Sequence, residues 1–336
     1  MRKTPLDENV ARGRQDYSLT MSELIGLLAP PLLAMVCFPW VTHQGASRAM
    51  QAALLLGSCV LMQILPWLIP ADEPLVRLLA SMSAALTAIK VIDAWVDQRR
   101  GAPQTHGEFF AFLVNPFILV RRCLPLERSL ERRDNILRVV GGAFGCTVGI
   151  TLLDWLFSMD WRDGTFVLEH ISKVTSLMGA IVCGLCAATA LWRLSGGTAR
   201  DYMSQPFAAR TPADFWRRYN RNVQQFFWED VFKPLGGHRA PVRTTLMVFG
   251  MSALLHELIF YAAIGRVQGY QTVFFALQGV ASAMTLRVRV RKGWAAIPWI
   301  GATLAFNLAS SVFFFASMHS VTPFYARGLP SWLQGW

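Results

Sequence analysis

Charge is scarce in this chain: 16% of its 336 residues are Asp, Glu, Lys or Arg, whereas 53% are hydrophobic. A soluble domain carries about a quarter charged residues, and several runs here are apolar and long enough to cross a bilayer. Long polar linkers are missing too, so residues 1–336 read as a single membrane-embedded domain. The six cysteines are scattered. Cys37, Cys59, Cys146, Cys183 and Cys186 fall in apolar runs, which gives no disulfide framework. Cys183-x-x-Cys186 sits mid-span without a histidine partner, so helix packing by small residues explains it better than redox or metal chemistry. His43, His106, His170, His238 and His319 fall in loops or at span ends, and no pair has metal-site spacing. No Walker loop, dinucleotide fingerprint or nucleophile elbow occurs. Neither a metal nor a cofactor is expected. Nor is a cleavable signal peptide, because Arg2 and Lys3 are followed by an apolar run only near Leu24, and that run is long.

What is present is a net charge of +11. The basic residues gather in short segments between apolar runs, as orientation signals do in polytopic proteins, and not in a stripe suited to nucleic acid. The expected fold class is all-α and polytopic, with about eight transmembrane helices plus re-entrant or interfacial pieces. Residues 1–22 form a polar tail. Spans are expected near Leu24–Val41, Ala49–Ile69, Leu75–Val96, Ile136–Phe157, Val174–Leu194, Val242–Gly265, Tyr270–Leu286 and Trp294–Met318. Pro30, Pro31 and Pro39 should bend or interrupt the first. Lys90 and Asp93 share a face of the third at i, i+3 and can offset each other's burial, as a structural ion pair or as a functional one. Phe109–Val120, broken by Asn115-Pro116, is too short to cross and reads as a re-entrant or interfacial segment. Gly141, Gly145 and Gly149 form a packing stripe on the fourth span. Asn307 is the one strongly polar residue of the last.

Lysine and arginine also orient the chain. With eight spans, the connections after the third, fifth and seventh share one side and hold most of the basic residues, so they should be cytoplasmic and both termini outside. The tail dissents, carrying Arg2, Lys3, Arg12 and Arg14 on the other side. The expected location is an integral multi-pass membrane protein, in the cytoplasmic membrane if bacterial or the endoplasmic reticulum if eukaryotic.

Two stretches carry candidate chemistry. The first lies in the polar loop 195–241. Thr211 followed by Asp214 makes a capping pattern, and Pro212 suits a first helical position. A helix starting there carries Phe215, Tyr219, Val223 and Phe226 on one stripe and Arg217, Arg218 and Arg221 opposite, the pattern of an interfacial amphipathic helix. The second is Ser252-Ala253-Leu254-Leu255-His256-Glu257. His256 sits about 20 Å along its span from Val242, and an ionisable residue at such depth marks a functional-site candidate. Burial disfavours imidazolium, so His256 should be neutral and able to accept a proton. Glu257, about 100° around the helix, reads as structural. Ser252, one turn earlier, can orient the imidazole. A rival function class is a proton-coupled transporter with His256, Lys90 and Asp93 as a relay, although no internal repeat supports it.

The segment from Asp214-Phe215-Trp216 to Asn220 with Phe232-Lys233-Pro234, and Ser252 to Glu257 in a span, with His256 36 residues beyond Asn220 by subtraction, resemble the membrane-bound O-acyltransferase family, specifically its wax synthase-like branch. The resemblance is specific over about residues 200–260 and topological elsewhere. It implies acyl transfer from acyl-CoA, as co-substrate, to a hydroxyl acceptor, most plausibly a long-chain alcohol. Sterol, glyceride or glycan hydroxyls remain alternatives, because Tyr219 stands where the branch usually has tryptophan. By resemblance His256 is the catalytic base, and Asn220 holds the acyl donor or the developing oxyanion. Asp214, Trp216, Arg217, Arg218, Arg221, Lys233 and Ser252 are then candidates for substrate binding. The basic residues among them, with Arg239, suit CoA phosphates, but contact with lipid headgroups serves equally well.

Overall fold

A computed structural model describes residues 20–43, 45–121, 131–161 and 164–334. Most of the polar tail, Arg122 and Arg128 lie outside the described residues. Among the described residues all regular structure is helical. Seven helical stretches are long and apolar enough to cross a membrane, and the protein is an all-α polytopic membrane protein.

The first span, α1 (Met21–Val41), opens with a capping box in which Thr20 and Glu23 satisfy each other's backbone N–H groups. It runs on as helix through Pro30, Pro31 and Pro39, so the expected interruption does not occur. Neighbouring helices can hold a proline-bearing span together in a membrane. The second, α2 (Arg48–Ile64), is capped by Ser47 and tightens into a 3₁₀ turn, Leu65–Leu68, at Pro66. Next, α3 (Pro74–Arg99) is the most enclosed span. Lys90 lies on it but, among the described residues, forms no ion pair with Asp93. Its ammonium donates to the carbonyls of Phe112, Leu113 and Asn115 at 2.8, 3.0 and 2.6 Å. These carbonyls lie at the C-terminal end of the short helix α4 (His106–Val114), where backbone acceptors lack a full set of helical partners. Asp93 accepts the Arg121 N–H at 2.7 Å. The two charges therefore pin the two ends of the re-entrant segment. Phe117–Val120 beyond it is buried without helical structure, as backbone at membrane depth must be when lipid cannot satisfy it.

The pair α5 (Arg132–Ser158) and α6 (Phe166–Leu194) forms a close hairpin. The expected glycine stripe holds at Gly145 and Gly149, but its first member is Gly142 and not Gly141. A Cβ on Gly142 would meet the Cys183 carbonyl at 2.7 Å, one on Gly145 the Cys183 sulfur at 2.7 Å, and one on Gly149 the Ala180 nitrogen at 2.9 Å, whereas Gly141 faces nothing within 4 Å. Spacings of three and then four follow one face of a 3.6-residue helix better than two fours. Cys183 is thus a packing residue.

After the polar loop come α7 (Pro212–Arg218), α8 (Arg221–Phe226) with a π-helical turn at Phe227–Phe232, and then α9 (Pro241–Ile264), α10 (Tyr270–Thr285) and α11 (Ile297–Val321). With 16 residues, α10 is shorter than the other spans. Even so, it carries the chain back across the bundle. Arg210 in the polar loop donates to the Val290 carbonyl at 3.2 Å, and the Ala213 N–H to the Thr285 hydroxyl at 3.2 Å. Asn115 donates to the Thr198 carbonyl at 3.1 Å. The three basic connections therefore meet at one end of the bundle.

Candidate active site around His256

The amphipathic helix expected from Pro212 to Phe226 is two helices. It breaks at Tyr219–Asn220, where Asn220 takes a left-handed conformation with φ 43°, a region that asparagine tolerates better than most residues. The Asn220 carboxamide caps α8 by accepting the Val223 N–H at 3.3 Å, and its side chain also bonds the Tyr202 phenol. Backbone bonds from Ser204 to Arg218 and from Arg221 to Tyr202, both 2.9 Å, tie residues 202–204 to the break. Burial pushes the Tyr202 phenol up and the Tyr219 phenol up to about 12, so both stay neutral at physiological pH. The aromatic stripe partly survives: the rings of Phe215 and Tyr219 stack at 5.2 Å.

Asp214 is engaged locally. Its backbone N–H bonds the Thr211 hydroxyl at 3.1 Å, and its carboxylate accepts the Arg210 N–H at 3.1 Å and forms an ion pair with Arg218 at 3.0 Å. Burial alone would raise its pKa, but those donors outweigh burial and hold the carboxyl below its ordinary range. Arg218 is thereby held, Arg217 points outward with a largely exposed side chain, and Lys233 pairs with Glu229 at 2.7 Å. The Arg221 side chain is half-buried.

Trp216 leaves this surface and enters the bundle. Its indole donates to the Gln278 side-chain oxygen at 2.8 Å. Its ring lies 5.3 Å from Phe249 and 6.1 Å from Phe275. On the other side of Phe275 is His256, 4.4 Å between centroids, with Phe314 at 6.4 Å. The tryptophan of the first stretch and the histidine of the second thus share one aromatic wall.

The His256 Nδ1 lies 2.8 Å from the Ser252 backbone carbonyl. A carbonyl only accepts, so Nδ1 carries the proton and the neutral ring keeps its lone pair on Nε2. Ser252 does orient the imidazole, but through its main chain and not its hydroxyl. His256 is half-buried, neither sealed nor open. Glu257 faces away. Its carboxylate accepts the N–H groups of Gln268, Gly269 and Thr272 at 2.9, 2.7 and 3.3 Å, capping the start of α10. A groove of about 430 Å³ between α9 and α10, walled by Phe249, Ala253, Glu257 and Phe275 among others, does not include His256.

Several polar groups went unassigned in the sequence. Gln278, 1% exposed, joins Trp216 to Ser310 and Asn307. Glu169 and Lys173, both buried, pair at 2.6 Å, and Lys173 also bonds the Phe324 carbonyl at 2.8 Å. His170 does not sit in a loop. It is 3% exposed within α6 and bonds Tyr325 and the Leu308 carbonyl at 2.8 and 2.9 Å. Glu169 and Lys173 at i, i+4 were the available signal. Both lie outside a span that starts at Val174, eight residues after α6 does.

A search among characterised proteins finds this chain 28% identical over 158 residues to the probable long-chain-alcohol O-fatty-acyltransferase 8 of Arabidopsis thaliana, a stretch covering 44% of the chain and 46% of that protein. The chain therefore spans about half the length of the relative it matches. The sequence profile of the membrane-bound O-acyltransferase family matches residues 153–316, which contain the broken Trp216–Asn220 segment, His256 and the aromatic wall between them. Over that part the chain is similar to the membrane-bound O-acyltransferase family.

Proposed function

We propose that this membrane O-acyltransferase moves an acyl group from acyl-CoA to a long-chain alcohol, with His256 as general base. The observation that supports this most is the fixed tautomer of His256: Nδ1 is committed to the Ser252 carbonyl, leaving Nε2 to take the proton of an attacking hydroxyl. Acyl-CoA enters from the end where the basic connections meet, and Trp216 reaches from that end to the wall behind the base. The alcohol class follows the name of the Arabidopsis relative. Arg217, Lys233 and Arg221 stand at the same end for CoA phosphates. The transporter reading loses a relay partner, because three carbonyls occupy the Lys90 ammonium.

The test uses membranes containing the full chain, labelled acyl-CoA, and a panel of long-chain alcohols, sterols, glycerides and sugars. Ester should form from the alcohols and be abolished in His256→Ala. Ester formation that survives the substitution removes His256 from the mechanism, and proton-coupled flux without ester returns the transporter reading.

A further inference from the structure

Gln278 and Ser310, both buried, form a polar chain with the half-buried Asn307 inside an otherwise aromatic core, and every group in it can be oriented. The Trp216 indole can only donate, so the Gln278 atom it meets at 2.8 Å is the oxygen. Gln278 Nε2 then donates, to the Ser310 hydroxyl at 2.8 Å and to an Asn307 side-chain atom at 3.3 Å. Ser310 can accept because its own proton goes to the Phe306 carbonyl at 2.8 Å. The Asn307 atom facing Gln278 is therefore Oδ1, and its Nδ2 is turned elsewhere. That Nδ2 is buried and has no hydrogen-bond partner among the described residues. A buried donor without a partner is uncommon in native proteins and calls for one that is not part of the chain.

The position of this donor matches the chemistry. Gln278 follows Phe275 by one helical turn, and Asn307 precedes Phe314 by two. Phe275 and Phe314 are the two rings around His256. The free N–H₂ group therefore lies roughly 5–10 Å along the helices from the imidazole. It is displaced toward the end where Trp216 docks and the basic connections meet. An acyl thioester arriving from that end has this group on the approach side of its carbonyl and the base on the far side. Asn220, the residue expected to hold the developing oxyanion, uses its carboxamide to cap α8 and bond Tyr202.

We propose that Asn307 Nδ2 donates to the carbonyl oxygen of the bound thioester and is a further catalytic residue. This rests on the O-acyltransferase reading and deepens it. The hydroxyl oxygen bonds to the carbonyl carbon while its proton passes to His256 Nε2, and the C=O π pair moves onto the oxygen held by Asn307. Collapse of that tetrahedral species breaks the C–S bond, and the thiolate recovers the proton from His256. Ester and free CoA are the products. The hydrogen bond strengthens as the oxygen becomes an oxyanion, so it accelerates the step without tightening ground-state binding. Gln278 positions the donor, with Trp216 behind it.

The test is steady-state kinetics of the purified full chain in detergent, with palmitoyl-CoA and hexadecanol as probes. The native protein is compared with His256→Ala, Asn307→Leu and Asn307→Asp. The aspartate variant keeps the size of the side chain and an oxygen for Gln278, so it remains informative if the leucine variant fails to fold. Loss of one oxyanion donor should lower kcat by about 10²–10³-fold, with the KM for acyl-CoA close to native. The same donor with its carbonyl oxygen replaced by sulfur, a poorer acceptor, should slow the native enzyme but cause no further loss in the Asn307 variants. A kcat within about tenfold of native, a loss carried wholly by KM, or a full sulfur effect in the variants overturns the role of Asn307. If the native protein makes ester and only His256→Ala abolishes it, this proposal fails and the reading of the site stands. If the native protein makes none, both fail.

Discussion

Glu257 adjoins His256, the proposed base, in sequence, yet its carboxylate points at the start of α10, and the two roles can be separated by substitution. In the structure one carboxylate, 8% exposed, accepts three backbone N–H groups and the Thr272 hydroxyl. Truncation to alanine strands those donors in a region from which water is largely excluded. An unmet buried donor costs about 1–3 kcal/mol. Two of the three bonds are short, and part of the penalty is relieved by relaxation at a helix end. A loss of roughly 2–4 kcal/mol is therefore expected for Glu257→Ala. Glu257→Gln, which keeps one carbonyl oxygen, should lose about half as much. Thermal unfolding of the purified protein in detergent reads this directly. The kinetic signature should differ from that of His256→Ala. The Gln variant, assayed well below its unfolding temperature, should retain most of the native kcat and the native pH profile, because only the position of Phe275 behind the imidazole has moved. If Glu257→Gln unfolds at the native temperature but has lost kcat by a factor like that of His256→Ala, the carboxylate takes part in the chemistry and the capping argument is wrong.

Two further outcomes follow from groups outside the site. Lys90→Met removes the charge that holds three carbonyls at the end of α4. It should lower stability by roughly 2–4 kcal/mol and open the re-entrant segment to proteolysis, because charge-assisted bonds there are worth about 1.5–3 kcal/mol each before the saved desolvation is subtracted. Unchanged unfolding and cleavage patterns would contradict it. Asp201 ties the polar loop to α5 and α6 through Arg138 at 2.9 Å and Arg193 at 2.8 Å. Burial alone would raise its pKa, but these two bonds win and hold it below its ordinary value of 3.8. A carboxyl depressed on folding stabilises above its unfolded pKa, and that stability is lost as pH falls through the folded value. Native protein should therefore hold this contribution down to about pH 4 and lose it in more acidic buffer, whereas Asp201→Asn should be weaker at neutral pH and lack that acid-dependent part.

Much of this protein is legible in the sequence because a bilayer leaves few choices. Backbone in hydrocarbon must close its own hydrogen bonds, so a long apolar run becomes a helix, and the runs were counted to within one short member. The same scarcity of charge drew attention to His256, since an ionisable group at that depth has few structural uses. The break at Tyr219–Asn220 was not legible. Local periodicity favoured one continuous helix, and the interruption depends on Tyr202 and Ser204, residues that arrive from upstream to bond across it. Nor could spacing predict where Lys90 would send its proton donors, because its partners lie more than 20 residues away on the re-entrant segment.

Composition, helical period and depth in the membrane were thus set by the sequence alone, because each is a property of a single segment in its solvent. Everything that makes a site of those segments was decided by tertiary structure. The tautomer of His256 needed its own turn of helix, but the aromatic wall joining it to Trp216 needed α7, α9, α10 and α11 together. The unpaired nitrogen of Asn307 became visible only when the indole fixed Gln278 and Gln278 fixed the asparagine. Hydrogen-bond direction passes along a chain of contacts, and no single segment contains that chain.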